Sequence, residues 1–140
     1  MKKQLISFIL LLAISIGMAS AQQSTVTISV GIEGLASESG SLGIQLINES
    51  NKTIASAYIN SKQGYGAIAF GMLAPGKYAV RFYHDENGNQ KMDTNLMGIP
   101  TEGYGFSNNK TGVMGTPPPF KEMLFDASKD TAINIKALYK

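Results

Sequence analysis

Asp85, Asn87, Asn89 and Asp93 place oxygen-bearing side chains at alternate positions of one short stretch, Asp85-Glu86-Asn87-Gly88-Asn89-Gln90-Lys91-Met92-Asp93. A hard cation such as Ca2+ collects about six to eight oxygen ligands. A short loop wraps such an ion when alternate side chains point inward and a backbone carbonyl fills the gap. The carbonyl of Lys91 has that place here. The spacing follows the first nine positions of an EF-hand loop, with two departures: Gln90 stands at the sixth position and Leu96 at the twelfth. With Asp85 and Asp93 as its anions, the loop is expected to hold calcium weakly and structurally, with Kd on the order of 10⁻⁴–10⁻³ M. Glu86 and Glu102 are available to complete the shell. The alternative is a metal-free turn, because Asn, Asp and Gly also favour turns through local hydrogen bonds.

His84 is the only imidazole and immediately precedes Asp85. A His–Asp pair can orient a catalytic base, and a hydrolase centred on His84, Asp85 and Glu102 is the enzymatic alternative. No motif marks a nucleophile, and nothing fixes the separation of Asp93 and Glu102 as a glycosidase pair. A hydrogen-bonding role at a strand end is expected for His84, and the chain is expected not to be an enzyme. Tyr104, Phe106 and Phe120 form a second group. The run Gly103-Tyr104-Gly105-Phe106 lacks the Lys and following helix of a phosphate loop. Its aromatic side chains either plug the edge of a sheet or, across residues 103–120, offer a platform for a sugar or peptide.

Something must position these groups, and the composition narrows what. The chain has 140 residues and no Cys, which excludes disulfides, thiolate metal sites and a Cys nucleophile. With 44% hydrophobic and 16% charged residues it is too apolar to be disordered. Residues 1–21 read as a secretory signal peptide: Lys2 and Lys3, an apolar run from Leu5 to Ile16, then Ala19-Ser20-Ala21. Removing Lys2 and Lys3 lowers the 12 basic side chains to match the 10 acidic ones. Neither a nucleic-acid stripe nor a polybasic lipid patch is left. One domain is expected over residues 22–140, exported through the Sec route to periplasm, cell surface or medium. It would be monomeric, outside the membrane after cleavage, with an unidentified protein or glycan partner.

The dominant period is two, the strand period. Strands are expected at residues 24–32, 42–46, 53–60, 64–72, 77–84, 121–126 and 131–139. Val26, Ile28, Val30 and Ile32 would face a core; on the fifth strand Tyr78, Val80 and Phe82 share one face and Ala79, Arg81 and Tyr83 the other. Seven short strands argue for an all-β, antiparallel two-layer sandwich, with a small barrel as the alternative. After the fifth strand the chain runs irregularly from Asp85 to about Pro119. Ordered connections rarely exceed about 15 residues unless they are functional, and this one is aromatic and poor in charge, as an ordered, packed loop would be.

The run Phe70-Gly71-Met72-Leu73-Ala74-Pro75-Gly76-Lys77-Tyr78-Ala79-Val80 resembles a signature of transthyretin-like, carboxypeptidase-regulatory and collagen-adhesin B-type sandwiches. Tyr83-His84-Asp85-Glu86-Asn87-Gly88-Asn89, then Asp93 to Leu96 and Gly98 to Asn109, resemble the bacterial domain-of-unknown-function family 2141. The resemblance implies a secreted, Ig-like or prealbumin-like sandwich and no particular activity. Where that family usually has Gly after the second Asn, this chain has Gln90.

Overall fold

A computed structural model describes residues 23–62 and 64–140; the expected signal peptide at residues 1–21 lies outside the described residues. The chain forms β1 (Val26–Glu33), β2 (Ser41–Asn48), β3 (Thr53–Asn60), β4 (Tyr65–Leu73), β5 (Gly76–Asp85), β6 (Gly103–Phe106), α1 (Phe120–Met123), β7 (Phe125–Ala127) and β8 (Thr131–Lys136). They make two sheets, not a barrel. The smaller has the order β4-β1-β8, and the larger β3-β2-β5-β6, with β7 also paired to β5.

The alternation read from sequence is the alternation that packs. Val26, Ile28, Val30 and Ile32 of β1 are buried against Leu42, Ile44 and Leu46 of β2 and Tyr78, Val80 and Phe82 of β5. Each large apolar side chain buried this way contributes about 1.5–3 kcal/mol, so this layer, not the loops, carries most of the stability. On β3, whose phase the small residues left open, Ala55, Ala57 and Ile59 face the core and Tyr58 faces outward. Among the described residues no helix is long and apolar enough to cross a membrane.

Three expectations need correction. Among the described residues there are eight strands, not seven, because β6 lies inside the long connection. Residues 121–126 are not one strand: a helical turn, α1, comes first and only Phe125–Ala127 is extended. The turn lets Met123 bury itself with Ile47 and Ala79 on the outer face of the larger sheet. The sandwich is also not wholly antiparallel, since β8 pairs parallel to β1, Ile28 opposite Thr131 through Glu33 opposite Lys136. Alternation reports which face a side chain takes. It does not report the direction of the neighbouring strand.

Candidate functional site

One face of the larger sheet meets the smaller sheet; the other carries the site. In register, Gly43 pairs with Tyr83 and Gln45 with Arg81. On the far side of β5, Tyr83 pairs with Tyr104 and Arg81 with Phe106. Successive strand residues point to opposite faces, so these six share the outer face. The connection folds back over it. Met92, Thr94, Gly98, Pro100, Gly115, Thr116 and Pro117 form a wall, and together with the sheet they enclose a cleft of about 350 Å³.

The floor is set by close approach. The Tyr83 ring lies where a Cβ on Gly43 would stand, so only glycine lets that ring lie flat against β2. Tyr104 and Phe106 meet edge to face, ring centroids 5.9 Å apart at 71°. Between these rings Arg81 donates from Nε to Gln45 Oε1 at 2.6 Å. Burial, with the negative charges of Asp85 and Glu102, holds the Tyr83 hydroxyl above the usual tyrosine range, so it enters the cleft as a neutral phenol.

The oxygen-rich loop forms one edge of this structure, and it is tied from within. Asp85 is completely buried. Its Oδ1 accepts the N–H groups of Gly88 (2.7 Å) and Asn89 (3.1 Å). Its Oδ2 accepts the N–H of Gln90 (2.7 Å) and the hydroxyl of Tyr58. Burial pushes the Asp85 carboxyl up, but the hydrogen bonds from Tyr58, Gln90, Gly88 and Asn89 outweigh it and hold the group below the usual carboxylate range. Asp93 accepts the side-chain amides of Asn87 (2.6 Å) and Asn89 (2.9 Å). Asn87 and Asn89 accept backbone N–H groups two residues on, at 3.0 and 2.9 Å, the local turn bonding typical of Asn. Glu102, also buried, accepts the N–H groups of Glu86 (3.1 Å) and Asp93 (3.0 Å). Gln90 takes a left-handed φ of 61°, a conformation that glycine adopts freely.

Of the five expected calcium ligands, Asp85, Asn87, Asn89 and Asp93 thus spend their side-chain oxygens on protein donors. Lys91 is exposed on the same loop. Among the described residues no group of three or more His, Asp and Glu side chains is placed to hold a metal.

His84 and Asp85 do not combine. They are consecutive on a strand, so their side chains leave on opposite faces. His84 is fully buried. Its Nε2–H donates to the Ser39 carbonyl at 2.8 Å, which leaves Nδ1 to accept the Tyr139 hydroxyl at 2.9 Å. The Tyr139 hydroxyl in turn accepts the N–H of Ala36 at 2.9 Å. This chain of bonds staples the first interstrand loop to the C-terminal segment, as a strand-end role for His84 implies.

The aromatic group is divided. Tyr104 and Phe106 line the cleft. Phe120 does not, since it opens α1 and packs on Ile47, Ala79 and Met123. Sequence reasoning passed over Arg81, although it is the only arginine in the chain. It passed over Ser107, completely buried, which accepts the Val80 N–H at 3.0 Å and donates to the Met123 carbonyl at 2.6 Å. It also passed over Asn108 and Asn109. Asn108 donates to the Glu122 and Leu124 carbonyls, and Asn109 accepts the Lys136 N–H. The signal was present as Ser107-Asn108-Asn109 directly after the aromatic strand.

The sequence pattern of a bacterial family described as an uncharacterized protein conserved in bacteria matches residues 30–135. No curated protein matches the chain. Among solved structures, the chain is similar to the tip fimbrial protein Mfa3 from Porphyromonas gingivalis with C-terminal truncation. That similarity has 14% identity and a TM-score of 0.43, covering 80% of this chain and 48% of that one. This chain spans about half the length of that protein.

Proposed function

We propose a function on the premise that the chain belongs to the bacterial domain-of-unknown-function family 2141, which its match over residues 30–135 establishes. The protein is a non-enzymatic binding module, an Ig-like or prealbumin-like sandwich exported through the Sec route, and it takes its ligand in the outer-face cleft. The observation that carries this reading is the cleft itself. Its volume of about 350 Å³ and its aromatic floor of Tyr83, Tyr104 and Phe106 suit ligand pockets, which typically measure roughly 300–1,000 Å³. The loop at residues 85–93 is the rigid edge on which the wall hangs. The module acts as a monomer, and its partner is a protein or a glycan that presents a small group to the cleft.

Calcium at Asp85, Asn87, Asn89, the Lys91 carbonyl and Asp93 is the second reading. The recurrence of oxygen side chains on one loop favours it. Against it, an ion would have to displace the four donors that Asp85 accepts.

A two-dimensional amide NMR screen against soluble glycan fragments and short peptides tests the first reading. Bound ligands are expected to move the signals of Gly43, Met92, Thr94, Gly115 and Thr116. A screen in which every response falls elsewhere removes it. Melting curves with added calcium and with chelator test the second: superimposable curves leave the self-bonded turn.

A further inference from the structure

We infer that the cleft selects a monocarboxylate carried on an apolar body, with Arg81 receiving the carboxylate. This rests on the binding-module reading and names the ligand class for that same cleft.

Arg81 is the only arginine in the sequence, and it projects from the middle of β5 into the cleft. Its side-chain hydrogen bond among the described residues is the one from Nε to Gln45 Oε1. It takes no part in the ion pair of Lys110 with Glu122 found among them. The glutamine amide fixes the plane of the guanidinium, and the two terminal nitrogens keep their donors. A planar fork of this kind matches a carboxylate through two parallel N–H···O bonds. Among the described residues no lysine lines the cleft. One fixed positive charge among aromatic walls balances a single negative charge and leaves a dianionic phosphate half neutralised.

The remainder of the site is mostly apolar, with Thr94 and Thr116 as the polar side chains of the wall. Tyr83, Tyr104 and Phe106 surround Arg81 on the sheet, and Met92, Pro100 and Pro117 face them from the wall. The mouth continues that surface. A Cβ on Gly115 would stand 2.6 Å from the Gly98 carbonyl, so the two turns that carry these glycines touch. Beside them Leu96, Met97, Val113 and Met114 are all at least 72% exposed. These four large apolar side chains immediately precede the cleft-lining Gly98 and Gly115 in the chain and would give a ligand body longer than the cleft further apolar surface. A sugar acid would place hydroxyl groups against these walls.

Two sources carry this chemistry, a fatty acid and the C-terminus of an apolar peptide. Titration of the purified protein with octanoate and with N-acetylphenylalanine, followed by amide NMR, separates them. Whichever binds more tightly identifies the source, and binding of either supports the inference. Octanamide and N-acetylphenylalaninamide are expected to bind about tenfold or more weakly, because a charge-assisted fork is lost. Arg81→Gln is expected to lower carboxylate affinity by a similar factor, and Arg81→Lys by less. The amide comparison uses wild-type protein and so does not depend on either variant folding. Amides that bind as well as the acids, or glucuronate that binds as well as octanoate, would overturn the inference while leaving the cleft as a binding site. If none of these probes, and no member of the glycan and peptide screen, perturbs the cleft, the binding-module reading falls with it.

Discussion

Asp85 and Glu102 hold the same loop from its two sides. Asp85 accepts the N–H groups of residues 88, 89 and 90 inside the turn, and Glu102 accepts those of residues 86 and 93 at its base. Five consecutive or near-consecutive backbone donors therefore end on two buried carboxylates. Such charge-assisted bonds are roughly twice as strong as neutral ones. The loop is ordered by its own anions, and the wall of the cleft begins where it ends.

Glu102 is the first place to test this. Glu102→Ala leaves the N–H groups of Glu86 and Asp93 without partners, at a cost of about 1–3 kcal/mol. Glu102→Gln keeps one good acceptor and is expected to lose less. Urea unfolding measures both. Hydrogen exchange at residues 86 and 93 should accelerate in the Ala variant even where the sandwich amides stay protected. Unchanged exchange there would mean that the carboxylate does not hold the loop base.

The pH dependence follows from Asp85. Its carboxyl lies below its ordinary value of 3.8 in the folded protein. A lowered pKa gives stability that is present above the unfolded value and is lost as pH falls through the folded one. Wild-type stability should therefore drop below about pH 4. Asp85→Asn should be less stable at pH 7, and its deficit should shrink as the pH falls through that range. A deficit that stays constant to pH 2 would separate the acid limb from this group.

The sandwich layer was legible because period-two alternation and burial are the same physical fact. Val26, Ile28, Val30 and Ile32 could hardly pack otherwise. β6 was not legible as a strand, because its inward positions are Gly103 and Gly105, over which the Tyr139 and Phe82 rings lie. Its aromatic residues face outward, so the apolar pattern runs in the reverse phase from β1. The helical turn at Phe120–Met123 was hidden for a related reason. Met123 is buried as an inward strand residue would be, but against the outer face. The loop at residues 85–93 was found from its oxygens. Whether those oxygens meet N–H donors or an ion depends on how the backbone turns, and spacing does not report that. Arg81 was passed over because a lone arginine on a strand reads as a solvated side chain until β6 and the returning wall surround it.

Gln90 supplies a stabilising substitution. At φ 61° a non-glycine residue carries roughly 1–2 kcal/mol of strain, offset in part by the smaller backbone entropy that glutamine loses on folding. Its N–H still reaches Asp85, and glycine would keep that bond. Gln90→Gly is expected to raise stability by about 0.5–1 kcal/mol, read as a higher urea midpoint at unchanged slope. A lower midpoint would show that the Gln90 side chain contributes more than its backbone conformation costs.

Gly43 and Tyr83 should behave as a coupled pair. A Cβ at residue 43 would stand 2.2 Å from Cε1 and 2.4 Å from Cζ of the Tyr83 ring, and these atoms belong to a half-buried aromatic on the cleft floor. Gly43→Ala must push that ring toward the wall, at a cost of about 1–3 kcal/mol for overpacking. The ring would also narrow the cleft beside Arg81, so ligand affinity should fall together with stability. Tyr83→Ala removes the obstruction. In the double variant Gly43→Ala should therefore be nearly free, giving a coupling of about 1 kcal/mol or more between the two positions. The cycle is measured by urea unfolding of the four proteins. Strict additivity would mean that the Tyr83 ring has another place to go, and that the floor of the cleft is not set by the glycine beneath it.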